Sequence, residues 1–518
     1  MWKNRFATLA WIALAPFLTS CIGIVSGPPA PSVPDHTNAW LSYKYSRNCG
    51  SYANCAAIID DTAEAGNYYQ AIGATAFPTL AAWKTFYGFP AGSNPPAHAI
   101  YANQGDLQLG RDMNCVQNAA NIACYVSNYG PPPADCSPDN SNAANCPWPN
   151  LDVAISQAIS GNNNGNPSGN PVPFATVAMV FTRNSGQPNN QNNVTFYVFA
   201  GANQTLAPDA KLDGEGAKSV PRMCMACHGG RYDTNSHAAL GASFLPFDAF
   251  YFKFSKQTGF GLDDQQEGFR NLNMLVEAVS GTYPIAASGA ARSTNVVTIT
   301  TAVGHSLVVG DSVNISGITD TTFNGNNVAV ASVPSSTSFT YSQTGPDSNS
   351  GGGSVSLASQ TASQAAIVDF INGLYCPNLS SGGLLGVCSN PIGTSGSKAV
   401  DGYVPSGWSP ATSGYADSAK LYTHVERQYC RMCHLAQAPQ APTFLTFPDF
   451  NASLVNTFAC SLRDMPHAEV PLGGPPTSAN PNVNPFTDPH HFWLDSVALS
   501  DLKNFMNSQN PPIASCPN

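Results

Sequence analysis

Two pentapeptides, Cys224-Met225-Ala226-Cys227-His228 and Cys430-Arg431-Met432-Cys433-His434, constrain this chain more than any other feature. Both read C-x-x-C-H, the attachment signal for a c-type haem. Two thiols three positions apart add to the two vinyl groups of one haem, and the adjacent imidazole is then held against the iron. At the Cys and His frequencies of this chain, chance supplies about 0.01 such pentapeptides, yet two are present. A redox-active C-x-x-C pair or half of a zinc site explains the cysteines, but neither asks for His after the second Cys in both copies. Two covalently bound c-type haems are therefore expected. Cys224, Cys227, Cys430 and Cys433 are their anchors, and His228 and His434 their proximal ligands.

Lys3 and Arg5 precede an apolar run over residues 6–18, which ends in Leu18-Thr19-Ser20-Cys21. A basic start, a short apolar stretch and small residues at the break make a secretory signal, too short to remain as a spanning helix. The ending resembles a bacterial lipoprotein signal, which implies cleavage before Cys21 and lipidation of that residue. An ordinary signal cut nearby is the alternative reading. Ile22-Gly23 follow without an Asp, which by the same resemblance points to the outer membrane. The Pro-rich residues 27–34 read as a stiff tether. No other segment is long and apolar enough to span a bilayer. The expected location is the bacterial cell envelope, as an outer-membrane lipoprotein facing the periplasm or the cell exterior, held to the membrane by its lipid anchor.

Of 15 Cys, one is the lipid site and four hold haem, and the even remainder in an exported chain indicates disulfides. Sequence neighbours give Cys49–Cys55, Cys115–Cys124, Cys136–Cys146, Cys376–Cys388 and Cys460–Cys516, although spacing alone does not fix the connectivity. Charged residues are only 10%, and Gly (44) and Pro (42) are abundant, so the chain should be loop-rich. The formal net charge is −10, and losing Lys3 and Arg5 with the signal makes it more negative still. An acidic surface argues against nucleic acid and suits redox protein partners such as basic cytochromes, or serves plain solubility.

At 518 residues the chain has room for several domains. After the signal (1–21) and tether (22–34), residues 35–213 carry no haem motif. Within them 60–73 and 79–87 have helical character and 194–200 alternates like a strand, in an α+β region of no named fold. The first haem segment, 214–287 and 357–392, is interrupted at 288–356 by β-rich runs at 296–300, 311–315 and 338–341, separated by turn signals. That stretch resembles the small β modules of phage tail and bacterial surface proteins, inserted between helices at 264–280 and 361–374. His305 lies inside it and is not expected to ligate haem. Residues 410–518 form the second haem segment, with a helix at 419–427 running into C-x-x-C-H, an apolar segment at 454–462 and a last helix near 495–506.

A six-coordinate haem needs a second axial ligand, usually Met or His. For the second haem Met465 is the candidate, in Arg463-Asp464-Met465-Pro466-His467, with Pro466 stiffening the loop and His467 as the alternative. For the first haem, Met113 ranks ahead, because Arg111-Asp112-Met113 repeats the Arg-Asp-Met of 463–465 and Cys115 would anchor it. Met274 follows, although helical phase puts it with Glu267, Arg270 and Glu277 on a face that is solvated unless the N-terminal region covers it. His237 is third, and a haem with no sixth ligand is the remaining arrangement. Aromatic residues crowd both motifs, among them Phe244, Phe247, Phe250, Tyr251, Phe252 and Phe254, then Phe444, Phe447, Phe450, Phe492 and Trp493, as a dry haem wall or ordinary core.

Over about 100 C-terminal residues the order of helix, haem motif, ligand loop and closing helix resembles the cytochrome c family, and the whole chain a dihaem c-type cytochrome. The resemblance implies mainly α haem domains beside an irregular α+β N-terminal region and a small inserted all-β module. It also implies an electron carrier in the cell envelope. The rival reading, carried by dihaem peroxidases, related protein-oxidising enzymes and rubber oxygenases, is a dihaem enzyme with one open-coordination haem. A third is a surface-binding protein whose β insert is the working part.

Overall fold

In the computed structural model, which describes residues 62–102, 109–118, 121–130, 151–162, 171–182, 193–210, 218–233, 235–376, 391–438, 442–450, 455–456, 496–509 and 512–513, residues 97–206 build a six-stranded antiparallel meander. Its strands are β1 (Ala97–Ala102), β2 (Gly110–Asn118), β3 (Asn121–Tyr129), β4 (Ala175–Thr182), β5 (Asn193–Ala200) and β6 (Thr205–Leu206), in that order across the sheet. Ahead of it stand helices α1 (Thr62–Ala71) and α2 (Leu80–Phe86), the latter opened by the Thr79 side chain accepting from the Ala82 amide. A third, α3 (Leu151–Gly161), lies against β1, β2 and β3.

This sheet overturns the expectation of mainly α, cytochrome c-like haem domains with an irregular N-terminal region. Strand content is 29% and the large sheets are antiparallel. The physical reason lies on the sheet's reverse face. His98 Nε2 lies 2.9 Å from Asp112 Oδ1, the Asn114 side chain donates to the same oxygen at 2.8 Å, and the Ser127 and Thr176 hydroxyls pair at 3.0 Å. These groups are buried but mutually bonded, so the face is polar in sequence and dry in space. The apolar alternation that announces a strand is lost.

The chain then forms α4 (Arg222–His228), the hairpin β7 (Arg231–Asp233) and β8 (Ala238–Leu240), and α5 (Leu262–Val279). From α5 it enters an eight-stranded antiparallel sheet that begins with the long strand Thr282–Ser293 and closes with Ser354–Leu357. Helix α6 (Ala362–Tyr375) leads out and packs against α5. A capping box starts α6: Thr361 accepts from the Gln364 amide, and Gln364 reaches back to the Thr361 amide. His305 is buried inside this β unit against Tyr283 and Phe339.

Near the C-terminus a helical turn at Ser418–Leu421 widens into π-type turns over Tyr422–Cys430 and tightens again as α7 (Arg431–His434), with α8 (Ser496–Asn507) packed on the widened stretch. Trp408, Tyr422, Val425, Phe450, Phe505 and Met506 make a core of their own there, whereas Leu435 belongs to the main core. Among the described residues no helix is long and apolar enough to cross a membrane.

Glu277 on α5 is 1% exposed, and neither carboxyl oxygen has a hydrogen-bond partner among the described residues. Burial lifts its pKa from 4.5 to about 8. Between those values the unfolded chain binds fewer protons, so stability falls as pH rises, by about 1.4 kcal/mol per unit. Urea unfolding at about pH 5 and about pH 7 should therefore show a loss of about 2–3 kcal/mol that Glu277→Gln largely abolishes. Equal losses in both proteins would contradict the burial account.

Candidate haem-binding site

Helix α4 presents Cys224, Cys227 and His228, and it ends at Gly229 with φ +69°. A Cβ there would lie 1.8 Å from the Ala436 carbonyl oxygen, so the first motif's helix ends against backbone just beyond the second motif. Helices α4 and α7 pack together. The two motifs, 206 positions apart in sequence, are neighbours in space.

The histidine of each motif is oriented in the same way. His228 Nδ1 lies 2.9 Å from the Ser243 carbonyl oxygen, and His434 Nδ1 lies 2.8 Å from that of Pro442. With Nδ1–H donating to a carbonyl, the Nε2 lone pair is left for a metal, the usual arrangement of a ligating imidazole. Burial pushes the His434 pKa down to about 4, which keeps that ring neutral. Its neighbour Phe444 stacks on it at 4.0 Å between ring centroids.

The thiols are not arranged as a reactive redox pair. None of the four is in a disulfide, although Cys115 and Cys124 are joined and Cys376 is disulfide-bonded. Burial raises the Cys224 pKa, with Cys227 adding to it, and burial beside Glu426 raises that of Cys430. Reactive C-x-x-C pairs require the opposite shift. Among the described residues no three His, Cys, Asp or Glu side chains converge as a metal-ion group, so a closed zinc site is not formed.

The first motif opens onto a cavity of about 160 Å³ whose mouth is open to solvent. One wall is α4, with Met223, Cys224, Cys227 and His228; a second is the loop with Phe244, Pro246, Phe247 and Phe252. The third is the front of the meander, which supplies Tyr101, Arg111, Met113, Cys124, Val126, Asn128, Val177 and Met179. Register explains that set: Met113, Val126 and Val177 stand opposite one another on β2, β3 and β4, and Cys124, Met179 and Phe196 form the next row. The Phe196 ring reaches His228 at 5.7 Å between centroids. An apolar slot with paired thiols, an oriented imidazole and thioethers on the facing sheet fits a c-type haem.

The structure brings Met113 into this cavity. It places Met274 elsewhere, 5% exposed on α5, with its sulfur accepting from Arg270 Nη1 at 3.2 Å. The α5 face carrying Met274, Arg270 and Glu277 is buried rather than solvated. His237 lies at the β7–β8 hairpin with Nδ1 2.7 Å from Glu64 Oε1, and it does not line the cavity. Met179 was not legible as a ligand candidate in the sequence; only recognition of β4 as an alternating strand puts it on the cavity face. Met465, His467, Phe492, Trp493 and Cys21 lie outside the described residues, as do the pairs Cys49–Cys55, Cys136–Cys146 and Cys460–Cys516 and the partner position Cys388.

A buried charge cluster fastens the second motif to the first site's wall. Asp248 is 0% exposed. It accepts from Arg427 Nε at 2.9 Å and Nη2 at 3.2 Å, and from Arg431 Nη2 at 2.7 Å. Burial alone would raise the Asp248 pKa, but Arg431 and Arg427 outweigh it and hold the carboxyl below its usual range. The Arg431 guanidinium also lies 4.1 Å over the Phe370 ring, and the Tyr251 hydroxyl donates to the Gln428 carbonyl. Met432, inside the second motif, lines the first cavity. Set against known proteins, the chain matches no family model, and no curated protein matches it.

Proposed function

We propose that this chain is a dihaem c-type electron carrier, exported and lipid-tethered in the bacterial cell envelope, that passes single electrons between protein partners. The observation that carries the reading is the packing of the two C-x-x-C-H helices against each other, with Met432 of one motif in the cavity of the other. Each haem, when bound, supplies a one-electron iron couple. The rest is done by the chain. Cys224 and Cys227, and Cys430 and Cys433, fix the two groups; the Ser243 and Pro442 carbonyls set the tautomer of His228 and His434. The aromatic wall and the sheet line the first site largely with apolar surface, and the Asp248 cluster holds the two motifs in register. Met113 would help hold the first haem and Met465 the second. The acidic surface suits basic redox partners.

Optical and EPR spectra of the oxidised protein, with both haems attached, test this. Two low-spin haems with a sulfur-to-iron charge-transfer band are expected. A high-spin haem that binds cyanide readily would contradict the carrier and favour the dihaem-enzyme reading, with the open-mouthed first cavity as its substrate site.

A further inference from the structure

The loop after the second motif contains a strained residue whose side chain lies flat against the motif's histidine. Phe444 has φ +55°, in the left-handed region where Cβ crowds the following carbonyl oxygen. Six non-glycine residues among the described ones have positive φ, and Phe444 alone of these is buried. A bulky residue keeps such a conformation only where its surroundings hold it there. Here Trp408, itself 0% exposed, donates its indole N–H to the Phe444 carbonyl at 2.8 Å. Trp408 is in turn packed among Tyr422, Phe447 and Phe450. Gly407 beside it lets the two segments close up, since a Cβ there would meet the Thr446 Cα at 3.0 Å.

Two residues of this loop therefore grip one imidazole. The Pro442 carbonyl oxygen, 2.8 Å from His434 Nδ1, sets the tautomer but leaves the ring able to pivot about that hydrogen bond. The Phe444 ring removes the pivot. It stacks on the imidazole with 4.0 Å between centroids and 21° between planes, and Phe450 backs it edge-on at 5.3 Å. The first motif is built differently. His228 has its carbonyl partner at Ser243, but it meets Phe196 at 5.7 Å with the planes tilted by 51°, a contact that does not define a plane.

We infer that Phe444 is a positioning residue of the second site: its strained backbone holds a flat ring on His434 and fixes the plane in which that imidazole would meet the iron. This rests on the dihaem reading above and deepens it. A ligand plane that cannot turn keeps the surroundings of the iron alike in both oxidation states, which favours rapid one-electron exchange.

The test uses the full-length holoprotein as Phe444→Leu, which keeps apolar bulk without a flat face, and as Phe444→Tyr, which keeps the face. Haem content and thermal unfolding are recorded for each. The plane of an axial imidazole sets the rhombic splitting at low-spin iron, so EPR g-values report it, and a general loss of stability does not move them. The signals of the second haem are those that remain in the Cys224→Ala, Cys227→Ala protein. Phe444→Leu should shift and broaden these signals and leave those of the first haem in place, whereas Phe444→Tyr should keep the wild-type values. Unshifted g-values in Phe444→Leu overturn the inference. Equal shifts in the two variants overturn it as well, because a flat ring is then not what matters. Should Phe444→Leu fail to fold, Trp408→Phe, which removes the indole donor to the Phe444 carbonyl, carries the test: the same signals should shift, and wild-type values overturn the inference. Failure of the dihaem reading itself is separately visible, as a wild-type protein without covalent haem.

Discussion

A protein carrying both Cys224→Ala and Cys227→Ala should retain one covalently attached haem if, as proposed, the unaltered chain carries two. The effect should be all-or-none because the thioether bonds need sulfur, and among the described residues no other free thiol lines the cavity. The second haem should survive, since its motif is supported by a core of its own around Trp408, Tyr422 and Phe505. Converting Cys430 and Cys433 gives the mirror result. The comparison is made on denatured protein, where only covalently held haem remains: the absorbance of the reduced pyridine complex per chain should halve in each double variant. Unchanged absorbance in either would remove that motif from the account.

Asp248→Ala should destabilise the protein by about 3–5 kcal/mol, since removing one partner of a buried ion pair strands the other charge. Here two guanidinium groups, Arg427 and Arg431, lose their shared carboxylate, and both are at most 8% exposed. Arg427 keeps an exposed contact with Asp401, so Arg431 bears most of the cost. Denaturant unfolding of the holoprotein measures it, and a loss below about 1 kcal/mol would show the cluster to be dispensable. The pH dependence has a definite sign. The Asp248 pKa is depressed in the folded state, so its contribution is fully present above the unfolded value of 3.8 and disappears as pH falls through the lower folded value. Wild type and variant should therefore converge in acid. Because the cluster joins the wall of the first site to α7, partial unfolding in the variant should begin at the junction of the two motifs.

The candidate site was more legible in the sequence than the architecture. C-x-x-C-H is a local signal, complete within five residues, and the helices on either side of the β insert declared themselves through apolar periodicity that burial of α5 and α6 requires. The Cys115–Cys124 pairing was readable from proximity and is present. The meander was not, because Asp112 with Asn114 and Ser127 with Thr176 put polar side chains on a buried face, and no local pattern records the Ser127–Thr176 pairing across 49 residues. Met179 was missed for the same reason: its place in the cavity lining depends on which face of an unrecognised strand it occupies. The contact between the two motifs was invisible for a different reason. It depends on Gly229 meeting the backbone at Ala436 and on Asp248 finding Arg431, both long-range events between residues that look ordinary alone.

The most direct measurement is the intact mass of the full-length mature protein, produced in cells that mature c-type cytochromes and analysed after denaturation and disulfide reduction. The account predicts the polypeptide plus two haems, with fragments carrying one haem on Cys224 and Cys227 and the other on Cys430 and Cys433. A bare polypeptide, or haem on only one of the two motifs, would contradict it.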